Sequence, residues 1–198
     1  MKHTIYILFT LLCSYQLTAQ TVIDIAGERE SKYYKNGDFY MKDIQNLFQP
    51  YLGTWKYIDG NKEFRITLTK ITMYHEIDAD SNTDYYTDGI SVRYQKYENG
   101  LMIYQSPIDS YPDGSIKEFG KLRLGLVDYQ RIYKNTVLNV SRNAVHAAHL
   151  NLIPNNAGNY NLHLKLYTEK TGLGLEYEPV TTGNPYHSTP SDIIMTKM

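Results

Sequence analysis

The side chains in this sequence with the means to do chemistry are carboxylates and imidazoles, and they are scattered along the chain. Asp78, Asp80, Asn82 and Asp84 set oxygen donors at alternate positions, as the start of a calcium loop does. The pattern then breaks: Thr83 stands where the sharp-turn glycine belongs and Gly89 where the bidentate glutamate would sit, which favours a solvated turn between strands. His149 and His163 fall on the polar face of one late hairpin, where even registry would set them opposite one another as two zinc ligands. No third ligand accompanies them, and a strand places His146 on the other face. For hydrolysis the sequence offers no serine in a nucleophile elbow and no His-Glu zincin helix. Glu63, Glu76, Glu118 and Glu176 read as outward strand charges, and Gly172-Leu173-Gly174 lacks the Lys-Ser/Thr and helix of a phosphate loop. The inventory assigns no catalytic residue, no metal ligand and no cofactor, so the chain reads as a non-enzyme.

Composition narrows the classes further. Lys2, the apolar run from Ile5 to Leu12 and the small residues at Thr18-Ala19-Gln20 read as a secretory signal peptide over residues 1–20. That run is shorter than the roughly 18 residues a membrane span needs, and no later stretch approaches that length. The expectation is an exported chain, periplasmic or extracellular, with no integral membrane segment. Leu12 before Cys13 argues against a lipid anchor. Cys13 is the only cysteine, so cleavage leaves no disulfide, thiolate metal site or cysteine nucleophile. Of 20 basic and 21 acidic residues the leader holds only Lys2, leaving 19 minus 21, or −2; such a chain exerts no general pull on nucleic acid.

The elements are strands. Residues 21–38 are polar and broken, a flexible or loosely docked leader to a single domain over 39–198. Between Phe39 and Gln49, Tyr40, Ile44, Leu47 and Phe48 are spaced as on a short amphipathic helix, capped by Asp38 and stopped ahead of Pro50. Gly53 to Thr69 forms a hairpin about Asp59-Gly60-Asn61, with Phe64, Ile66 and Leu68 on one face. After Lys70 the apolar phase slips by one, to Ile71 and Met73, which predicts a bulge keeping both halves inward. Strands follow at 89–96, 101–104, 121–126 and 136–141. The clearest hairpin sets Leu150 and Leu152 against Tyr160, Leu162, Leu164 and Leu166. Leu173–Tyr177 reads as a further strand, and Asp192–Lys197 closes the chain. Hairpin-length links without a crossover helix predict an antiparallel, largely up-and-down sheet of eight to ten strands, curled to hide its apolar face and its edges.

Gly53-Thr54-Trp55, after a helical turn and before a strand ladder, resembles the opening of lipocalin-like (calycin) β-barrels. The run from Gly53 to Phe64, with Ile193-Ile194-Met195-Thr196-Lys197, is similar to a group of small exported bacterial proteins of unknown function with a lipocalin-like domain. The resemblance implies an all-β, antiparallel, mostly up-and-down lipocalin-like barrel with a short N-terminal helix, and Lys197 packed across the indole. The chain lacks a Thr-Asp-Tyr-type middle motif, cysteines for a staple and a helix after the barrel. The residues expected to line the interior are Trp55, Phe64, Ile66, Leu68, Val92, Tyr94, Leu122, Leu124, Tyr160, Leu162 and Leu164. Two functions follow from such a barrel. In one, it binds a small hydrophobic or amphipathic ligand; in the other, its own side chains fill it and loops 78–89 and 107–116 meet an envelope protein or glycan.

Overall fold

The computed structural model describes residues 20–106, 115–128, 144–169, 177–179 and 190–198. The stretch expected to be a signal peptide, apart from Gln20, most of loop 107–116, the expected strand at 136–141 and most of 173–177 lie outside them. The strands are β1 (Thr21–Asp24), β2 (Phe39–Lys42), β3 (Gly53–Asp59), β4 (Lys62–Asp78), β5 (Thr83–Glu98), β6 (Leu101–Gln105), β7 (Ser115–Glu118), β8 (Lys121–Asp128), β9 (Ala144–Pro154), β10 (Tyr160–Glu169), β11 (Tyr177–Pro179) and β12 (Asp192–Lys197). They form one sheet in the order β1-β2-β5-β4-β3-β12-β10-β9-β8-β7, with β6 added to β5 and β11 to β10. The chain is all-β.

Alternation builds the core. Phe64, Ile66 and Leu68 of β4 stand opposite Lys96, Tyr94 and Val92 of β5, and Leu162, Leu164 and Leu166 of β10 stand opposite Leu152, Leu150 and Ala148 of β9. These side chains, except the half-buried Leu152 and the charged Lys96, join Trp55, Leu122, Leu124, Ile193 and Met195 in a single buried cluster. One apolar face thus curls over on itself. Hiding it is the main source of stability, at about 25 cal/mol per Å².

Several expectations are corrected. The sheet is mixed, since β1 pairs parallel to β2 and β2 parallel to β5. Its ends, β1 and β7, do not pair with each other among the described residues, so it is not closed into a barrel. The helix over 39–49 is absent. Phe39–Lys42 is a strand, and the helical geometry on either side of it is limited to 3-10 turns at Ser31–Tyr34 and Gln49–Tyr51. The spacing misled because the buried residues are Met41, Leu47, Phe48 and Tyr51, while Ile44 is exposed. Asp43 offers this backbone an alternative to a helix: its carboxylate accepts from the Leu47 and Phe48 amides at 2.7 and 3.1 Å. The stretch 21–38 contributes β1 and buried Ile25 rather than trailing as a leader. The Ile71/Tyr74 bulge exists, with Met73 at φ 54°, but the arm beyond it leaves the core and Met73 is exposed. The segment 78–89 is a hairpin whose turn covers 79–82.

The parallel pairing of β2 has a structural consequence. In the order β2-β5-β4-β3, the outer two strands run the same way, so residues 43–52 must cross the end of the sheet. The crossing delivers Leu47, Phe48 and Tyr51 into the core. Trp55 is fully buried against it, its indole N–H donating to the Tyr51 carbonyl at 2.7 Å. Lys197 closes the stack from outside, with Nζ 5.2 Å above the indole. Gly53, at φ 111°, lets the chain enter β3 beneath that lysine; a Cβ there would stand 3.3 Å from Lys197 Cε.

Gly53→Ala is therefore expected to destabilise the fold by about 1–3 kcal/mol in urea unfolding. Adding Lys197→Ala relieves the contact but not the backbone conformation, so the double variant should recover only part of the loss. Full recovery would show that the backbone at Gly53 is unstrained.

Candidate functional site

Two groups of polar residues sit at opposite ends of the β3–β4–β5 ladder, and only one borders open space. At the end near Trp55, Lys70 lies 3.2 Å from Asp43 and 3.4 Å from Asp88, both carboxylates buried. Asp88 also accepts from the Tyr40 hydroxyl at 2.5 Å, the Asp43 amide at 3.1 Å and the Met73 amide at 3.2 Å. Burial pushes the Asp88 carboxyl up, but the Tyr40 hydroxyl, the two amides and Lys70 outweigh it and hold it below the usual carboxylate value. Burial and the Asp88 charge push Tyr40 up to about 12. Every oxygen here is spent on holding the 43–48 crossing to the bulge, so this is a structural clamp.

At the other end, some 20 Å along β4 from Lys70, the sheet parts. The β3–β12 ladder has two pairs, Thr196↔Lys56 and Lys197↔Trp55, while β12 continues against β10 to Asp192. Between the diverging strands lies a cavity of about 400 Å³ lined in part by Tyr57, Phe64, Lys96, Glu98, Ile103 and Ile193. Two adjacent cross-strand rows border it, Tyr57, Phe64 and Lys96 in one and Asp59, Lys62 and Glu98 in the next. Lys96 is buried, with Nζ 5.5 Å from the Tyr94 ring and 5.6 Å from that of Tyr104. Ile103 arrives through a bulge in the β5–β6 pairing. Across the mouth Asp192 holds His163 at 2.7 Å and Lys165 at 3.6 Å, and the His163 hydrogen bond is the main cause of its lowered pKa.

Of the residues expected to line an interior, Phe64 borders the cavity. Trp55, Ile66, Leu68, Val92, Tyr94, Leu122, Leu124, Leu162 and Leu164 fill the packed core, and Tyr160 is half buried, its ring 5.8 Å from Phe119. The sequence reading missed Tyr57, Lys96, Glu98 and Ile193 at the cavity. The available signal was Lys96, a charged residue in the same alternation phase as Val92 and Tyr94. The histidines do not oppose one another: His149 faces Lys165 and His163 faces Asn151. In the acidic turn, Asp78 accepts from the Asp80 amide and the Ser81 hydroxyl, and Asp84 meets His75 at 2.7 Å. Among the described residues no cluster of three metal-ligating side chains occurs. No helix among them is long and apolar enough to cross a membrane.

A family described as a family of unknown function (DUF6705) matches residues 1–198, and the chain belongs to it. No curated protein and no solved structure matches the chain.

Asp88 gives the clamp a pH signature. Its folded pKa is lowered, so its contribution is complete above the unfolded value of about 3.9 and lost as pH falls through the folded one. Asp88→Asn should cost about 3 kcal/mol or more at neutral pH. In urea titrations the cost should shrink as pH falls below the unfolded carboxylate value of about 3.9 and through the lower folded one; a pH-independent deficit would contradict the assignment.

Proposed function

We propose that this chain is a non-enzymatic, exported, lipocalin-like protein that binds a small hydrophobic or amphipathic ligand. The lipocalin-like reading, an antiparallel and mostly up-and-down curled sheet in its main strands, is supported by the Gly53-Thr54-Trp55 entry and by Lys197 over the indole. The observation that carries the binding role is the cavity where β3 and β12 part. Its volume of about 400 Å³ suits a small molecule, and it combines apolar walls with a few polar groups. The ligand enters beside the β3–β4 turn rather than into the centre of the sheet, where Trp55, Tyr94 and the leucines are packed. Covering about 250 Å² of apolar surface gains roughly 6 kcal/mol gross. After ordering costs, the affinity is micromolar or weaker.

The packed centre supports a second reading, in which the interior is filled and the surface meets an envelope protein or glycan through loops 78–89 and 107–116. The exposed Leu101, Met102 and Ile103 on β6 add apolar surface next to the cavity.

Hexanol, hexanoate and a naphthalene-based fluorescent probe, titrated against the purified chain, should raise its melting temperature and bind at micromolar to millimolar concentration. Tyr57→Arg, which crowds the cavity from a half-buried position, should abolish binding and leave far-UV circular dichroism unchanged. No shift with any probe, or binding indifferent to Tyr57→Arg, removes the cavity reading.

A further inference from the structure

The parting of β3 from β12 leaves two strand edges facing one another. The Met198 amide donates to the Thr54 carbonyl at 2.9 Å and Lys56 pairs with Thr196; continuing that register sets Ile58 against Ile194. In an antiparallel ladder alternate residues turn both N–H and C=O to the same side, so Thr54, Lys56 and Ile58 turn theirs toward β12, and Ile194 and Thr196 turn theirs toward β3. The far sides of both strands are taken, since β4 pairs with β3 as far as Asp59 and β10 with β12 as far as Asp192. On the facing sides no described strand pairs with Ile58 or Ile194. Their side chains are 56% and 55% exposed, while Tyr57 and Ile193, next to them in sequence and on the opposite face, border the cavity. Two open edges in register form a template for another strand.

We propose, resting on the binding role above, that the ligand is a short extended peptide segment inserted as a strand between β3 and β12. Its main chain bonds to Ile58 on one side and to Ile194 on the other. Such a strand needs about 10 Å between its neighbours, twice the ladder spacing, and β3 and β12 diverge toward Asp59 and Asp192, where the cavity lies. Because β3 and β12 are antiparallel, the segment runs parallel to one and antiparallel to the other. Its side chains alternate: one enters the cavity against Tyr57, Phe64 and Ile193, and the next points outward between Ile58 and Ile194. An alkyl ligand fills the cavity but leaves both edges unpaired. Only a molecule with donors and acceptors spaced along a strand meets both.

Isothermal titration calorimetry with acetyl-Val-Tyr-Val-amide, the same peptide N-methylated at every residue, and hexanol tests this. The unmethylated peptide should bind about tenfold or more tightly than the methylated one, and it should slow amide hydrogen exchange at Ile58 and Ile194. Val-Tyr-Val with free termini separates the sources: tighter binding of the capped form assigns an internal segment of a longer chain, and tighter binding of the uncapped form a free peptide. Ile58→Pro removes an N–H that faces the gap and takes no part in the β3–β4 ladder, so it should erase the advantage over the methylated peptide and spare hexanol binding. Equal binding of the two capped peptides, or unchanged exchange at both isoleucines, overturns strand insertion while hexanol binding keeps the cavity role. Binding by none of the peptides, by hexanol or by the naphthalene probe overturns both.

Discussion

The short junction between β3 and β12 governs the rest of this structure. On one side lie β1 to β6 and on the other β7 to β12, and among the described residues the ladder that joins them has two residue pairs. Two pairs of backbone hydrogen bonds are a small net contribution, on the order of 1 kcal/mol each. What makes the junction hold is the side-chain stack built on it. Trp55 and Met195 are fully buried beneath it, Tyr51 presses from the crossing segment, and Lys197 lies over the outer edge of the indole. A long ladder here would give a smoothly curved sheet. A short ladder anchored at one end lets the strands diverge at the other, and that divergence is the cavity.

The crossing segment exacts a cost that the clamp offsets. Residues 43–52 run over the end of the sheet without a helix, so their backbone amides must find partners elsewhere. Asp43 serves Leu47 and Phe48, Asp88 serves Asp43 and Met73, and Lys70 neutralises between the two carboxylates. Burying two acids with one base is expensive unless their remaining lone pairs are satisfied, which the amides and Tyr40 do here. The Tyr51 hydroxyl is the exception. It is buried near the Leu122 backbone without hydrogen-bonding geometry, and burial raises its pKa far above the tyrosine norm.

Local alternation made the strands legible. Phe64, Ile66 and Leu68, or Leu162, Leu164 and Leu166, announce a strand because a period of two has no other structural meaning. Asn99 and Gly100, both at positive φ, made the β5–β6 turn equally plain. What the sequence concealed was pairing between distant segments. Nothing in Phe39–Lys42 says that it lies parallel to β5, because the residues that decide it, Asp43, Lys70 and Asp88, are spread over two strands and a loop. The same blindness applied to the site. Lys96 interrupts an apolar face, yet alternation alone presents it as a strand end reaching solvent. Its meaning depends on Tyr104 and Ile193, which arrive from other strands.

The placement of Lys96 shows how this chain brings a charge to the edge of its core. In a core built only for stability, the position opposite Phe64 would hold another apolar or aromatic residue, as it does one and two rows away where Tyr94 and Val92 face Ile66 and Leu68. A lysine there loses hydration that aromatic rings replace only in part, each contributing on the order of 1 kcal/mol. The clamp shows how this chain treats a buried charge that serves the fold: it surrounds it with carboxylates at 3.2 and 3.4 Å. Lys96 is likewise held by the chain, its Nζ set between the Tyr94 and Tyr104 rings at 5.5 and 5.6 Å.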